Sequence, residues 1–236
     1  RLESVYSHLA ATEDDRPSKI CDLQIERFNN IKAQHIAASE KPPQFHLLNS
    51  SGVFNYPKCQ MDAVRCGIAL HGYANKTAWD ALLKPVAALE SIISQIHQVE
   101  KGEAVGYDNG WIAPQKVRIA TLPLGHADGI GRHFGHHKAW VTVNGQQAPI
   151  VGNICMDMLM VDVSGIPCKT GDRVHFFDQT LTAEAFAEKA NTISYELLTG
   201  LGPRIKRQLH EWNFVAKQTL CYFFETKQAS ICLALS

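Results

Sequence analysis

The sequence has 236 residues, of which 45% are hydrophobic and 19% charged, a composition typical of a globular protein with room for one large or two ordinary domains. Lysine plus arginine and aspartate plus glutamate both number 23, and this zero net charge argues against nucleic acid or an anionic membrane as a partner. No apolar run has the length needed to span a bilayer, and no long apolar stretch follows residues 1–5, so neither a membrane helix nor a signal peptide is expected.

The first part of the chain alternates short apolar strands with helical stretches. Strands are predicted at residues 2–9, 45–48 and 64–70. Between the first two strands, apolar residues recur near the helical period at Ile20, Leu23, Phe28 and Ile31. The strands run into polar or glycine-containing turns, a pattern that indicates βα units with their chemistry at the strand ends.

Around Leu83 the pattern changes to β-branched runs separated by turns. Strands are predicted at residues 117–122, 140–143, 148–151, 160–163 and 173–177. Asn144-Gly145 joins the second and third of these, which predicts a hairpin with a type I′ turn. A helix is predicted over residues 183–190, with Thr182 as its N-cap and Leu181 packed on Phe186.

These patterns predict an α/β domain over residues 1–82, a mostly β domain over 83–212 and an atypical tail over 213–236. The tail is apolar without a clear period, which is compatible with a packed extra strand or with an aberrant end of the reading frame.

The seven cysteines are scattered and form no C-x-x-C pair, so neither a zinc site nor a disulfide framework is expected. Reduced thiols are typical of a cytoplasmic protein. The cluster His133, His136 and His137 has no cysteine or carboxylate at metal-ligand spacing and is interpreted as a solvated loop. No metal is therefore predicted.

Nine short segments, in order, resemble the alanine racemase family. They are YSHLA at 6–10, HLLNS at 46–50, VRCGIAL at 64–70, VGY at 105–107, GHADG at 125–129, APIVG at 148–152, ICMD at 154–157, TISYE at 192–196 and PRI at 203–205. Each segment is weak by itself, and the series spans most of the chain with plausible gaps.

The resemblance implies an α/β plus β fold, in which the C-terminal part of a TIM-type (β/α)8 barrel is followed by a mostly β domain. It implies pyridoxal 5'-phosphate as the cofactor and the interconversion of L-alanine and D-alanine, which supplies D-alanine for peptidoglycan. It also implies a homodimer in which the partner's β domain completes each active site.

The resemblance also implies roles for individual residues around the cofactor. Arg65 would hydrogen-bond the pyridine nitrogen, and His8 would lie against the cofactor ring in contact with Arg65. Because an arginine can only donate, that ring nitrogen would remain unprotonated. The phosphate would be bound by the side chains of Tyr195, Ser50 and Asn49 and by the backbone N–H groups of Gly67 and Ile68.

On the substrate side, Tyr107 resembles the catalytic base that serves the face of the L-enantiomer. Met156 and Asp157 resemble a loop of the partner subunit whose N–H groups receive the substrate carboxylate. His126 stands where the family has a tyrosine that helps close the substrate entrance, which implies altered affinity or pH dependence. Taken singly, these residues would be interpreted as ordinary strand-end, turn or core residues.

The family's lysine, which carries the cofactor and acts as the second base, matches no motif after Arg1 and is expected upstream. Without this lysine the 236-residue chain alone is expected to be inactive. Roughly half of the eight barrel strands would also be missing, and the exposed strand edges are expected to make the chain poorly soluble. Alternative interpretations are a degenerate pyridoxal-phosphate-binding or regulatory homologue without turnover, and a related barrel enzyme such as an amino-acid decarboxylase or a serine racemase. The VGY and CMD segments favour alanine racemase over the decarboxylases.

Overall fold

A computed structural model describes residues 2–13, 18–74 and 77–209 of the chain. Within these residues the chain divides into two compact units, the first ending at Val86 and the second beginning at Ala87. The predicted tail over 213–236 and the last residues of the predicted β domain, from 210, lie outside the described residues. No helix in the described part of the chain is both long and apolar enough to cross a bilayer.

The first unit is an α/β arrangement built on a parallel sheet. Its described strands are β1 (Ser4–Tyr6), β2 (Gln44–Asn49) and β3 (Ala63–Arg65), and its described helices are α1 (Lys19–Ala38), α2 (Ser50–Asn55) and α3 (Thr77–Asp80). The strand order is β1-β2-β3, with Ser4 opposite Gln44 and Asn49 opposite Arg65. Parallel strands end at the same edge of a sheet, so the residues that follow these strands meet there.

Helix α1 is the crossover between β1 and β2. It begins at the N-cap Ser18, whose hydroxyl accepts a hydrogen bond from the Cys21 amide at 3.3 Å. The side of α1 that packs on Phe45 and its neighbours in β2 carries Cys21, Ile25 and Phe28, a spacing of i, i+4 and i+7.

The prediction of a helix here is confirmed, but the predicted apolar face is only partly right. Phe28 is buried, whereas Ile20, Leu23 and Ile31 are exposed. The hydrophobic periodicity missed Cys21, a fully buried residue on the packed side of the helix.

Two predicted strands of the first unit are shorter in the structure. The strand predicted at 2–9 forms ladder pairs only over Ser4–Tyr6. The strand predicted at 64–70 ends at Arg65, and the chain then enters a 3-10 turn over Ile68–His71. The hydroxyl of Ser50 accepts the amides of Gly67 and Ala69, which takes this segment out of the sheet ladder.

The second unit is mostly β. Its described strands are β4 (Leu89–Ile92), β5 (Gln95–Val99), β6 (Ala104–Val105), β7 (Trp111–Ile112), β8 (Val117–Leu122), β9 (Trp140–Val143), β10 (Gln146–Val151), β11 (Leu159–Asp162) and β12 (Arg173–Phe177). Two helices among the described residues follow, α4 (Ala183–Glu188) and α5 (Ser194–Gly200). An antiparallel sheet has the order β4-β12-β9-β10-β11-β8-β5, and β6 pairs with β7.

The large antiparallel sheet curls until its two ends meet. Its end strands β4 and β5 are joined only by Ile93 and Ser94. The Ile93 amide donates to Asp172 O, beside β12, whereas the next amide, that of Ser94, donates to Thr121 O in β8. Consecutive residues therefore bond to opposite sides of the sheet, which closes it around a core that includes Val141, Val143, Ile150 and Val161.

The predicted strands 117–122 and 173–177 and the hairpin of 140–151 are confirmed. Asn144 and Gly145 have φ of +46° and +77°, the positive values that a type I′ turn requires. Thr182 caps α4 as predicted, since its hydroxyl accepts the Ala185 amide. Phe186 of that helix stacks on Phe134, with ring centroids 4.8 Å apart.

Candidate functional site

Arg65, at the end of β3, is held by acceptors in β2 and just after the end of β1. Its Nη2 donates to Ser7 O at 2.8 Å and to Leu47 O at 3.2 Å, and its Nη1 donates to His46 O at 3.2 Å. The guanidinium also lies 5.1 Å from the ring centroid of Tyr6. The N–H on Nε has no acceptor among the described residues, so it is the donor left for a ligand.

Two histidines contact the same guanidinium. His8 Nδ1 lies 3.2 Å from Nη2 of Arg65, and His46 Nδ1 lies 3.2 Å from Nη1. Because an arginine offers only donors, each Nδ1 must accept, so the ring N–H of each histidine is on Nε2. Burial, together with the charge of Arg65, lowers the pKa of His46.

The main chain at His8 is held by hydrogen bonds to a side chain of α1. The side-chain amide of Gln24, in α1, donates to His8 O at 3.0 Å and accepts the Ala10 amide at 2.9 Å. The structure therefore brings Arg65 and His8 together, and it adds His46 and Gln24, to which the sequence interpretation gave no role.

Asn49 and Ser50 begin α2 beside this cluster. Asn49 is the N-cap, and its Oδ1 accepts the Gly52 amide at 2.9 Å. Ser50 Oγ accepts two N–H groups, from Gly67 at 2.9 Å and Ala69 at 3.3 Å. With its acceptor sites filled, this hydroxyl has its own proton left to donate.

The chain at Gly67 faces open space. A Cβ at this position would meet no atom within 4 Å, so the backbone is accessible to a ligand on that side. The next residue, Ile68, begins the 3-10 turn, where N–H groups lack partners within the helix. The Ser50 hydroxyl and the Ile68 N–H thus offer neutral donors beside the accessible backbone of Gly67, a set that suits a phosphate group.

In the second unit, Tyr107 lies in a tight turn after β6 and is 63% exposed. The flanking Gly106 has φ of +82°, and Asp108 and Asn109 also have positive φ. The Asn153 side chain donates to Tyr107 O at 3.0 Å, and His136 Nε2 lies 3.0 Å from Asn153 Oδ1.

The Asn153 contact joins the Tyr107 turn to the loop that carries Met156 and Asp157.

The histidine cluster of His133, His136 and His137 forms no metal-binding group with other described residues.

The loop of His126 and the loop of Met156 and Asp157 are bonded to each other. The His126 amide donates to Cys155 O and the Ala127 amide donates to Met156 O, both at 2.9 Å. A Cβ on Gly125 would lie only 2.5–2.8 Å from atoms of the second loop, so a glycine is required for this approach. The structure therefore brings His126 next to Met156 and Asp157, which are themselves exposed.

Arg204 connects these loops to the end of the described chain. Its Nε and Nη2 donate to the two carboxylate oxygens of Asp128, at 3.1 and 3.0 Å, and its Nη1 donates to Asp157 at 2.6 Å. Hydrogen bonds raise the pKa of the guanidinium, and the bond to Asp157 has a larger effect than the bonds to Asp128. Arg204 belongs to a segment quoted for the resemblance, but the sequence interpretation gave it no role, because its partners are far away in the chain.

Tyr195 was considered for the phosphate, and it lies in the first turn of α5, half-buried. The five described cysteines, namely Cys21, Cys59, Cys66, Cys155 and Cys168, are free thiols.

Both units match models of known protein families. Residues 1–75 match the family model described as the N-terminal domain of alanine racemase, and residues 86–209 match the one described as its C-terminal domain. The chain belongs to the alanine racemase family.

Curated relatives of this family are similar along most of the chain. The alanine racemase of Deinococcus deserti is 35% identical over 209 residues and that of Nitrosomonas eutropha is 37% identical over 206 residues. These matches include 87% and 86% of this chain but 57% and 56% of the relatives. The chain thus spans somewhat more than half the length of the alanine racemases it matches.

Solved alanine racemases are also similar in fold. The structure from Streptomyces coelicolor gives a TM-score of 0.79 at 31% identity, covering 87% of this chain and 55% of that protein. The structure from Bartonella henselae, described with covalently bound pyridoxal phosphate, gives 0.75 at 33% identity, with 87% and 56% coverage.

Proposed function

We propose that this chain belongs to a pyridoxal-phosphate-dependent alanine racemase, which interconverts L-alanine and D-alanine and supplies D-alanine for peptidoglycan. The observation that carries the proposal is Arg65, a guanidinium fixed by carbonyls and histidines, whose Nε N–H has no acceptor in the described part of the chain. The likeness to relatives named alanine racemase supports it.

The first unit fits the cofactor. The free N–H on Arg65 Nε would donate to the pyridine nitrogen, and His8 would lie against the ring. The hydroxyl of Ser50 and the N–H group of Ile68 would bind the phosphate. Gly67 would let the phosphate approach the chain while its N–H orients the Ser50 hydroxyl, and Asn49 would cap α2 beside them. When bound, the cofactor supplies the electron-withdrawing group that makes the Cα–H of an amino acid removable.

The second unit would supply the groups that handle the substrate. Tyr107 is proposed to remove and return the Cα proton on the L face through its hydroxyl oxygen. The backbone N–H groups of Met156 and Asp157 would receive the carboxylate of alanine, and His126 would border the entrance. Tyr195 is proposed as a further hydroxyl donor to the phosphate.

The finer architecture follows from the same proposal. The parallel sheet of the first unit, with its α1 crossover, supports assignment of residues 1–82 to part of a TIM-type barrel, followed by the β domain. We also propose a homodimer with shared active sites, in which Tyr107, Met156 and Asp157 serve the partner's cofactor. Free thiols support a cytoplasmic location.

The test is to express the gene product that contains these residues and to measure conversion of L-alanine to D-alanine with added pyridoxal phosphate. Tyr107→Phe is expected to lower kcat by about 10²–10⁴-fold, because a proton-transferring group is removed. Tyr56→Phe is the matched control, since Tyr56 lies in the first unit next to Cys21, outside the proposed site, and its loss should leave kcat within about twofold.

The outcomes separate the candidate functions. Turnover abolished by Tyr107→Phe supports the racemase, and the 236-residue chain assayed in parallel is expected to be inactive. Binding of pyridoxal phosphate without turnover would favour the degenerate cofactor-binding homologue, to which the presence of His126 points. Turnover of another amino acid at a higher rate than alanine would favour a related enzyme of the same class.

A further inference from the structure

The proposed carboxylate-binding loop contains a negative charge of its own. Asp157 supplies a backbone N–H to the proposed site, yet its side chain is a carboxylate with 57% of its surface exposed. A free carboxylate there would repel the carboxylate of alanine, since like charges a few ångströms apart oppose binding even near a protein surface. Something must therefore neutralise Asp157 if the loop is to bind an anion.

Arg204 contacts Asp157 directly. Its Nη1 lies 2.6 Å from Asp157 Oδ1, while Nε and Nη2 of the same guanidinium engage both oxygens of Asp128. Asp128 is buried and also accepts the Gly125 amide at 2.9 Å, so it fixes the guanidinium to the His126 loop. A planar guanidinium can form the paired bond and still offer a third nitrogen, which an ammonium cannot.

Two backbone N–H groups of the same loop remain available to a ligand in the described part of the chain. The amides of Met156 and Asp157 donate to no other described residue, whereas Met156 O and Cys155 O accept amides of the His126 loop. The loop is thus bonded through its carbonyls on one side, which leaves the two N–H groups for a ligand.

We propose that Arg204 is a positioning residue for substrate binding. It neutralises the Asp157 carboxylate and locks its loop to Asp128, so that the N–H groups of Met156 and Asp157 are presented to the substrate carboxylate. This inference rests on the proposed racemase function. It predicts that Arg204 acts on the binding of alanine and not on proton transfer.

The first experiment compares steady-state constants in the gene product that contains these residues. Arg204→Gln is expected to raise KM for alanine about five- to tenfold and to leave kcat within about threefold, since an uncompensated surface charge acts mainly on binding. Arg204→Lys should give an intermediate KM. Arg173→Gln, which removes an arginine from an exposed ion pair with Glu90, is the control and should leave KM unchanged.

A double variant separates charge from structure. If repulsion by Asp157 raises KM in Arg204→Gln, then Arg204→Gln combined with Asp157→Asn should restore most of the affinity. Should Arg204→Gln fail to fold, Asp157→Asn alone remains informative, and it is expected to lower KM about two- to threefold, because it removes one of the two carboxylates that share the Arg204 charge. A double variant with the KM of Arg204→Gln, or an unchanged KM in all variants, would overturn the inference.

A binding measurement keeps this test independent of turnover. Propionate, a carboxylate without an amino group, is titrated into the ¹⁵N-labelled protein, and the amide shifts of Met156 and Asp157 are followed. Weaker propionate binding in Arg204→Gln supports the inference even if the protein does not racemise alanine. Alanine turnover with propionate binding that is the same in wild type and variant would contradict the role of Arg204 and leave the racemase proposal intact.

Discussion

The guanidinium groups of Arg65 and Arg204 bind different kinds of acceptor. Among the described residues, Arg65 has main-chain carbonyls and histidine nitrogens as acceptors and contacts no carboxylate. Arg204 is bonded to carboxylates on every donor that it uses. The first arrangement suits a group that interacts with a ligand's lone pair, and the second suits a group that removes negative charge from a loop.

His46 should make stability depend on pH. Folding lowers its pKa from 6.5, so below about pH 6.5 the unfolded chain binds the proton more readily than the folded chain. The free energy of unfolding should then fall as the pH drops from about 6.5 through the lower folded pKa, and His46→Gln should remove that part of the loss. Urea unfolding measured across this range tests it, with His97→Gln, an exposed histidine of β5, as the control.

At the level of elements, glycines decide how closely loops approach. Gly129 ends the 3-10 turn His126–Asp128 with φ of +104°, and a Cβ there would lie 2.4 Å from Gly200 O at the end of α5. Gly171 has a similar φ of +92° but open space around the same position. The two residues therefore separate the cost of backbone conformation from the cost of a clash.

Gly129→Ala is expected to lower the free energy of unfolding by about 3 kcal/mol or more, because positive φ and a backbone clash both oppose it. Gly171→Ala should lower it by only about 1–2 kcal/mol, since only the positive φ opposes it. Chemical denaturation of both variants measures the difference. Equal losses would mean that the α5 end moves away without cost.

Local sequence was sufficient to predict the elements that are determined by neighbouring residues. The Asn144-Gly145 turn and the cap at Thr182 depend on neighbouring residues, and both are confirmed. The strands β4 and β5 were not predicted, because they are short, have several polar residues without regular alternation, and pair with strands distant in the chain.

The same limit applies to the candidate site. Arg65, His8 and Ser50 were singled out because each lies at a strand end in a segment that resembles the family. The contacts of Arg204 with Asp128 and Asp157 join positions far apart in the chain, so only the fold reveals them. The roles of these residues remain predictions for the experiments above.

At the scale of the whole molecule, protection should differ between the units. In the parallel sheet of the described residues, β2 has a strand on each side, whereas β1 and β3 each have one. We expect hydrogen exchange in the 236-residue chain to be slowest in β9 and β10 and slower in β2 than in β1 or β3. Mass-spectrometric exchange measures this, and strong protection of β1 would contradict it by indicating a further partner strand.

Closure of the antiparallel sheet at Ile93 and Ser94 also has a kinetic consequence. The β9–β10 hairpin pairs neighbours across a tight turn, but β4 can pair with β12 only after Arg173 has been brought back to Ile92. Joining such distant positions carries a larger entropic barrier than closing a hairpin. The β4–β12 seam should therefore form late in folding, and substitutions in it should speed unfolding more than they slow folding.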